Sequence, residues 1–157
     1  KRSAEDSNLN GMGTTVVMAL LDDKKVYIAN VGDSRAYLIR GSTIEQLTED
    51  HSLVGGLVRS GHITKEEARV HPKRNIVTMA LGIEEVVEPA IRSIDFNKGD
   101  YILLCSDGLT DMLTDEEIRD IALKNTDSQK ICNLLVLEAN EKGGRDNITV
   151  ILILMEE

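Results

Sequence analysis

The stretch Thr14 to Arg40, TTVVMALLDDKKVYIANVGDSRAYLIR, decides the fold. Thr14 to Leu21 is β-branched and aliphatic and closes on the turn pair Asp22-Asp23. Lys25 to Val31 follows almost at once, and Ser34 to Arg40 begins after the Gly32-Asp33 turn. Connections this short predict a meander of antiparallel neighbours. Upstream, KRSAEDSNLN is a polar lead-in with no core residues. Downstream, residues 51–75 change character: Gly55, Gly56, Gly61, all three histidines and Pro72 interrupt two short helical patterns, and Thr64 with Glu67 makes a capping box that starts a helix near Lys65. This segment has few large apolar residues and reads as a surface insertion with its own mobility.

Strand patterns resume at Ala90 to Phe96 and Tyr101 to Cys105, joined by Asn97-Lys98-Gly99-Asp100 in the manner of a hairpin. Thr114 and Glu117 form a second capping box, and Ile131, Leu134, Leu135 and Ala139 give a following helix one apolar stripe. Ile148 to Leu154 is apolar at nearly every position, which predicts a central strand buried on both faces. Strands, a helix pair and a last strand define an α+β chain, with helices packed on a mainly antiparallel sheet.

With 157 residues the chain fits one domain, and its net charge of −9 with only four aromatic residues argues against nucleic acid as a partner. No apolar run approaches the roughly 20 residues of a membrane-spanning helix. Cys105 and Cys132 lie in apolar contexts rather than in a disulfide framework, which points to a reducing, cytoplasmic compartment.

Three aspartates occupy one kind of place, where an apolar strand meets a glycine-bearing turn: Asp33 in VGDSR, Asp107 in CSDG and Asp146 in GGRDN. Strands that share a sheet bring such ends to one rim. Clustered carboxylates repel, so they need raised pKa values or a counter-cation, and oxygen-only sites suit Mg²⁺ or Mn²⁺. Other templates fail. A calcium loop from Asp107 would place Leu109 and Met112 where a ligand and a glycine belong. The histidines lack zinc-site spacing, and Cys105 has no nearby arginine to support an anion site, so hydrolysis here would use metal-activated water. Arg35 and Arg145 are expected to pair with neighbouring acids and brace the turns.

GMGTT (Gly11 to Thr15), NVGDSRAYL (Asn30 to Leu38), LTEDHS (Leu47 to Ser52), SDGLTD (Ser106 to Asp111) and GRDNITV (Gly144 to Val150), in this order, resemble the metal-dependent serine/threonine protein phosphatases of the PPM or type 2C family in its bacterial form. The resemblance implies a pair of antiparallel sheets flanked by helices. It implies an enzyme that uses two to three Mg²⁺ or Mn²⁺ ions to dephosphorylate phosphoserine and phosphothreonine in proteins, opposing a serine/threonine kinase. It makes Asp107 and Asp146 ligands of the catalytic metal pair, Asp33 with Asp107 ligands of a third ion, Asn147 and Asp111 outer partners, and residues 51–75 a flap beside the site. No side chain is expected to act directly.

The family pattern also includes an upstream DGMGG, whose aspartate bridges the metals, and an earlier arginine that grips phosphate. Neither has a counterpart here: Gly11-Met12-Gly13 follows Asn10 and precedes Thr14-Thr15, which marks the later motif. Residues 1–157 therefore resemble the back portion of one phosphatase domain without its front strands, and the substrate-binding residues stay unassigned. An inactive fragment or a non-catalytic binding or regulatory module is the alternative. Missing strands would leave a bare sheet edge that invites a dimer.

Overall fold

A computed structural model of the chain describes residues 9, 11–22, 25–83 and 86–155. The lead-in at residues 1–8 and 10, and Asp23 of the first turn, lie outside the described residues. The strands are β1 (Val16–Asp22), β2 (Lys25–Val31), β3 (Arg35–Arg40), β4 (Thr43–Gln46), β5 (Ala90–Asp95), β6 (Tyr101–Cys105) and β7 (Val150–Leu154). The helices are α1 (Leu53–Arg59), α2 (Lys65–Val70), α3 (Asp107–Thr110), α4 (Asp115–Leu123) and α5 (Ser128–Glu141).

Strand pairing is antiparallel throughout, in two sheets ordered β1-β2-β5 and β4-β3-β6-β7. The second sheet is a middle layer. On β3 and β6, Ala36, Leu38, Ile102 and Leu104 face the first sheet and pack with Val26, Ile28 and Phe96. The alternate residues Tyr37, Ile39, Tyr101, Leu103 and Cys105 face α3, α4 and α5, where Leu109, Leu113, Ile118, Ile131, Leu135 and Ala139 are buried. The period-2 alternation of a strand thus serves two cores at once.

Three expectations change. The meander stops after β2, because the Gly32-Asp33-Ser34 turn carries the chain from one sheet into the other, so β2 and β3 do not pair. Asn97 to Asp100 likewise changes sheets instead of closing a hairpin: β5 pairs with β2, and β6 pairs with β3 and β7. The third concerns β7, which ends its sheet rather than running through the centre. It is apolar at every position because Val150, Leu152 and Leu154 pack on the helices while Ile153 faces the first sheet. Ile151, by contrast, is 53% exposed. The fully buried strand is β6. Both capping boxes form, at Thr64 with Glu67 and at Thr114 with Glu117.

The second sheet change is held electrostatically. Asp100, almost wholly buried, accepts hydrogen bonds from Arg40 Nε (3.0 Å), Arg40 Nη2 (2.6 Å) and the Asn97 backbone N–H (2.8 Å). Burial works to raise the carboxyl, but the guanidinium and the N–H outweigh it and hold Asp100 below its ordinary value. A lowered carboxyl contributes stability above its unfolded-state pKa and loses it as pH falls toward the folded value. Asp100→Asn should therefore destabilise the chain by roughly 1.5–3 kcal/mol at neutral pH. Urea unfolding should show that deficit shrinking as the pH drops through the carboxylate range.

Candidate active site

The start of β3, the end of β6 and the start of β7 lie along one rim, because Arg35 pairs with Cys105 and Cys105 with Val150. Each passage over the rim carries one of the three aspartates. Asp33 sits in the crossover between the sheets, and the crossover needs a glycine. Gly32 has φ +103, and a Cβ there would lie 2.3 Å from Thr15 Cγ2. The turn is tied down on both sides. The Gly32 N–H donates to His51 Nδ1 (3.2 Å), the His51 N–H donates to the Gly32 carbonyl (2.9 Å), and the Thr15 and Ser34 hydroxyls share a hydrogen bond of 2.9 Å.

Asp107 opens α3. The preceding Ser106 does not cap the helix. Its hydroxyl donates to the Asn147 carbonyl (3.1 Å) and accepts from the Thr149 N–H (3.0 Å), which clamps the segment holding Asp146 against the start of α3. Gly108 lets the two backbones meet, since a Cβ there would lie 2.4 Å from the Asn147 carbonyl oxygen.

The carboxylates act on one another. Burial, then the charge of Asp107, pushes Asp33 up to about 6. Burial followed by the charges of Asp146 and Asp111 raises Asp107. Among the described residues none of Asp33, Asp107 and Asp146 has a cation within 4.0 Å, whereas Asp50 is paired with Arg35 and Asp111 lies 3.7 Å from Arg74. Desolvated, repelling oxygen donors without a close cation fit a hard divalent ion. Yet among the described residues no three histidine, cysteine, aspartate or glutamate side chains stand close enough to enclose an ion. Asp146 is exposed, and its Oδ1 accepts from the Asn147 N–H (2.7 Å).

Asp33, Asp107 and Asp111 line a cleft of about 520 Å³ whose other wall is the insertion, with Val54, Val58, Arg59, Lys65, Arg69 and Arg74. Asp146 and Asn147 stand beside it. Arg35 braces the turn as its sequence context suggests, gripping Asp50 through Nε and Nη2 (2.6–3.1 Å). Arg145 differs: it is exposed and forms no ion pair among the described residues. His51 braces the crossover, while His62 and His71 make local contacts with Ser60 and the Lys73 N–H. Sequence reasoning missed the Ser106 clamp, although a serine directly before Asp-Gly at a helix start was a visible signal. It also missed the hub at Asp50, which lies in the same LTEDHS stretch as His51.

A model of the family described as protein phosphatase 2C matches residues 1–54 and 82–148, on either side of the insertion's core. The serine/threonine phosphatase stp of Listeria welshimeri is 48% identical over 148 residues, 94% of this chain and 59% of that protein. The protein phosphatase PhpP of Streptococcus pneumoniae is 46% identical over 154 residues, 98% of this chain and 62% of that protein. Among solved structures, the serine/threonine phosphatase Stp1 from Staphylococcus aureus matches with TM-score 0.96 and 45% identity, over 99% of this chain and 61% of that one. The catalytic domain of the serine/threonine protein phosphatase PstP in complex with two manganese ions matches with TM-score 0.86 and 34% identity, over 99% of this chain and 64% of that one. The chain thus spans 59–62% of the length of these two curated relatives.

The backbone approach at Gly108 gives a direct test of the rim. Gly108→Ala should cost roughly 1–3 kcal/mol, because a backbone carbonyl rather than a flexible side chain must yield. Gly56→Ala, in a helix with nothing within 4 Å, should be neutral or stabilising by up to about 1 kcal/mol. Urea unfolding of both variants checks the contrast.

Proposed function

The chain belongs to the protein phosphatase 2C family, and from that premise we propose that a complete domain of this sequence hydrolyses phosphoserine and phosphothreonine in proteins with Mg²⁺ or Mn²⁺. The observation that carries the reading is the rim itself: the charge of Asp107 raises the pKa of Asp33, the charges of Asp146 and Asp111 raise that of Asp107, and among the described residues none of Asp33, Asp107 and Asp146 has a cation within 4.0 Å.

In this reading Asp107 and Asp146 hold the catalytic pair of ions, and Asp33 with Asp107 holds a third. Asp111 and Asn147 orient ligands or water from outside that set. The ions, when bound, activate water for attack on phosphorus and neutralise charge on the transferring group. The chain's own groups shape the site. Ser106 and Gly108 keep Asp107 against the segment bearing Asp146, and His51 keeps the Asp33 turn on the rim. Cys105 is no competing nucleophile, because burial pushes its thiol up to about 12 and leaves little thiolate at neutral pH. Residues 51–75 act as a flap over the cleft. Two free thiols, Cys105 and Cys132, suit a reducing cytoplasm, where a serine/threonine kinase would supply the phosphorylated proteins.

A specific observation favours a second reading for these 157 residues by themselves. The described carboxylates do not enclose an ion, so the chain alone would be a metal-poor, non-catalytic module. It would also self-associate, because β1 and β7 end their sheets and carry Met18, Leu20 and Ile151 in exposed positions. Light scattering across a concentration series should show a mass rising toward a dimer; a constant monomer mass excludes that association.

For the complete domain, turnover of a phosphothreonine peptide should require Mn²⁺ or Mg²⁺ and vanish with a chelator. Asp107→Asn and Asp146→Asn should each lower kcat/KM by about 100-fold or more, since even outer-shell changes at metal sites cost about 10–100-fold. Undiminished turnover in both variants would refute the assignment.

A further inference from the structure

Tyr37 lies midway along β3, fully buried on the face turned toward the helices. Phenylalanine would bury the same ring, so the hydroxyl calls for its own explanation. It accepts a hydrogen bond from Arg35 Nη1 (3.0 Å) and donates one to Asp115 Oδ1 (3.0 Å). The direction is fixed, because a guanidinium only donates and a carboxylate only accepts. Both partners line the cleft, while Tyr37 joins them from beneath. On one side Arg35 continues to Asp50. On the other, Asp115 is the first residue of α4, and its Oδ2 lies 3.8 Å from Nζ of Lys65, the first residue of α2.

Helix α2 has no buried residue. Its attachments to the body are polar: Lys65 to Asp115, and Arg69 Nη1 to the carbonyls of Thr110 (3.0 Å) and Leu113 (3.2 Å). An element without an apolar anchor stands where its polar partners put it. The family model skips residues 55–81, so this wall is the part of the cleft least described by the common pattern.

We propose that Tyr37 is a positioning residue whose hydroxyl, by fixing Asp115, sets how α2 stands over the cleft and so tunes the fit of a phosphorylated polypeptide, without taking part in hydrolysis. The proposal rests on the phosphatase reading for its substrate and on the hydrogen-bond chain for its geometry. On this proposal α2, as part of the cleft wall, meets the chain of a peptide and not a small aryl phosphate held at the rim.

The test uses Tyr37→Phe and the exposed-site variant Lys65→Met. In the metal-loaded complete protein, Tyr37→Phe should raise KM for a phosphothreonine peptide about 5–10-fold, the scale of one ordinary hydrogen bond, and leave kcat for p-nitrophenyl phosphate within about twofold. Hydrogen exchange on the 157-residue chain should show the backbone amides of residues 66–70 opening several-fold faster in each variant, with the double variant adding less than the sum because both changes act through Asp115. If Tyr37→Phe does not fold, Lys65→Met carries the peptide and exchange measurements. Unchanged exchange over 66–70, or an equal loss on peptide and aryl phosphate, overturns the proposal. Wild-type protein that hydrolyses neither substrate overturns the phosphatase reading instead, and the exchange result still decides the role of Tyr37.

Discussion

The crossover at Gly32, Asp33 and Ser34 is the constraint on which the rest depends. A left-handed residue packed against Thr15 turns the chain out of one sheet and into the next, and His51 holds that turn through two hydrogen bonds. Because the chain changes layer there, β3 enters beside the end of β6, and the aspartate in the turn faces the aspartate that opens α3. Had β3 continued the first sheet as a meander, the two carboxylates would sit in different layers.

The molecule treats its carboxylates in two ways. Asp50 and Asp100 are each gripped by a bidentate arginine, and Asp100 is held below its ordinary pKa as a result. Asp33 and Asp107 are desolvated, face like charges and have no close cation among the described residues, so they are raised. Structural pairing satisfies a charge at home, whereas the rim leaves its charges without a close partner among the described residues.

Much of this was legible in the sequence because it is encoded locally. The strands Lys25 to Val31 and Tyr101 to Cys105, both capping boxes and the place of each aspartate at a strand end follow from neighbours within a few residues. Sheet membership is not local. Gly32-Asp33 and Asn97 to Asp100 have the composition of tight turns, and nothing in either says that the next strand joins another layer. The apolar run of β7 likewise reports burial but not rank in the sheet, because a middle layer covers even its edge strand on both faces for most of its length. The grip of Arg35 on Asp50 and the link from Tyr37 to Asp115 join residues 15 and 78 positions apart, beyond the reach of any spacing rule.

The order of the middle sheet bears on how fast the molecule can assemble. Its longest-range contacts join β3 to β6 across the whole insertion and β6 to β7 across three helices. Non-local pairing of this kind requires large loops to close before any contact energy is gained, and it slows the search for the native state. The caps of α4 and α5, by contrast, come from residues next to them in the chain, Thr114 and Asp127, and need no such closure.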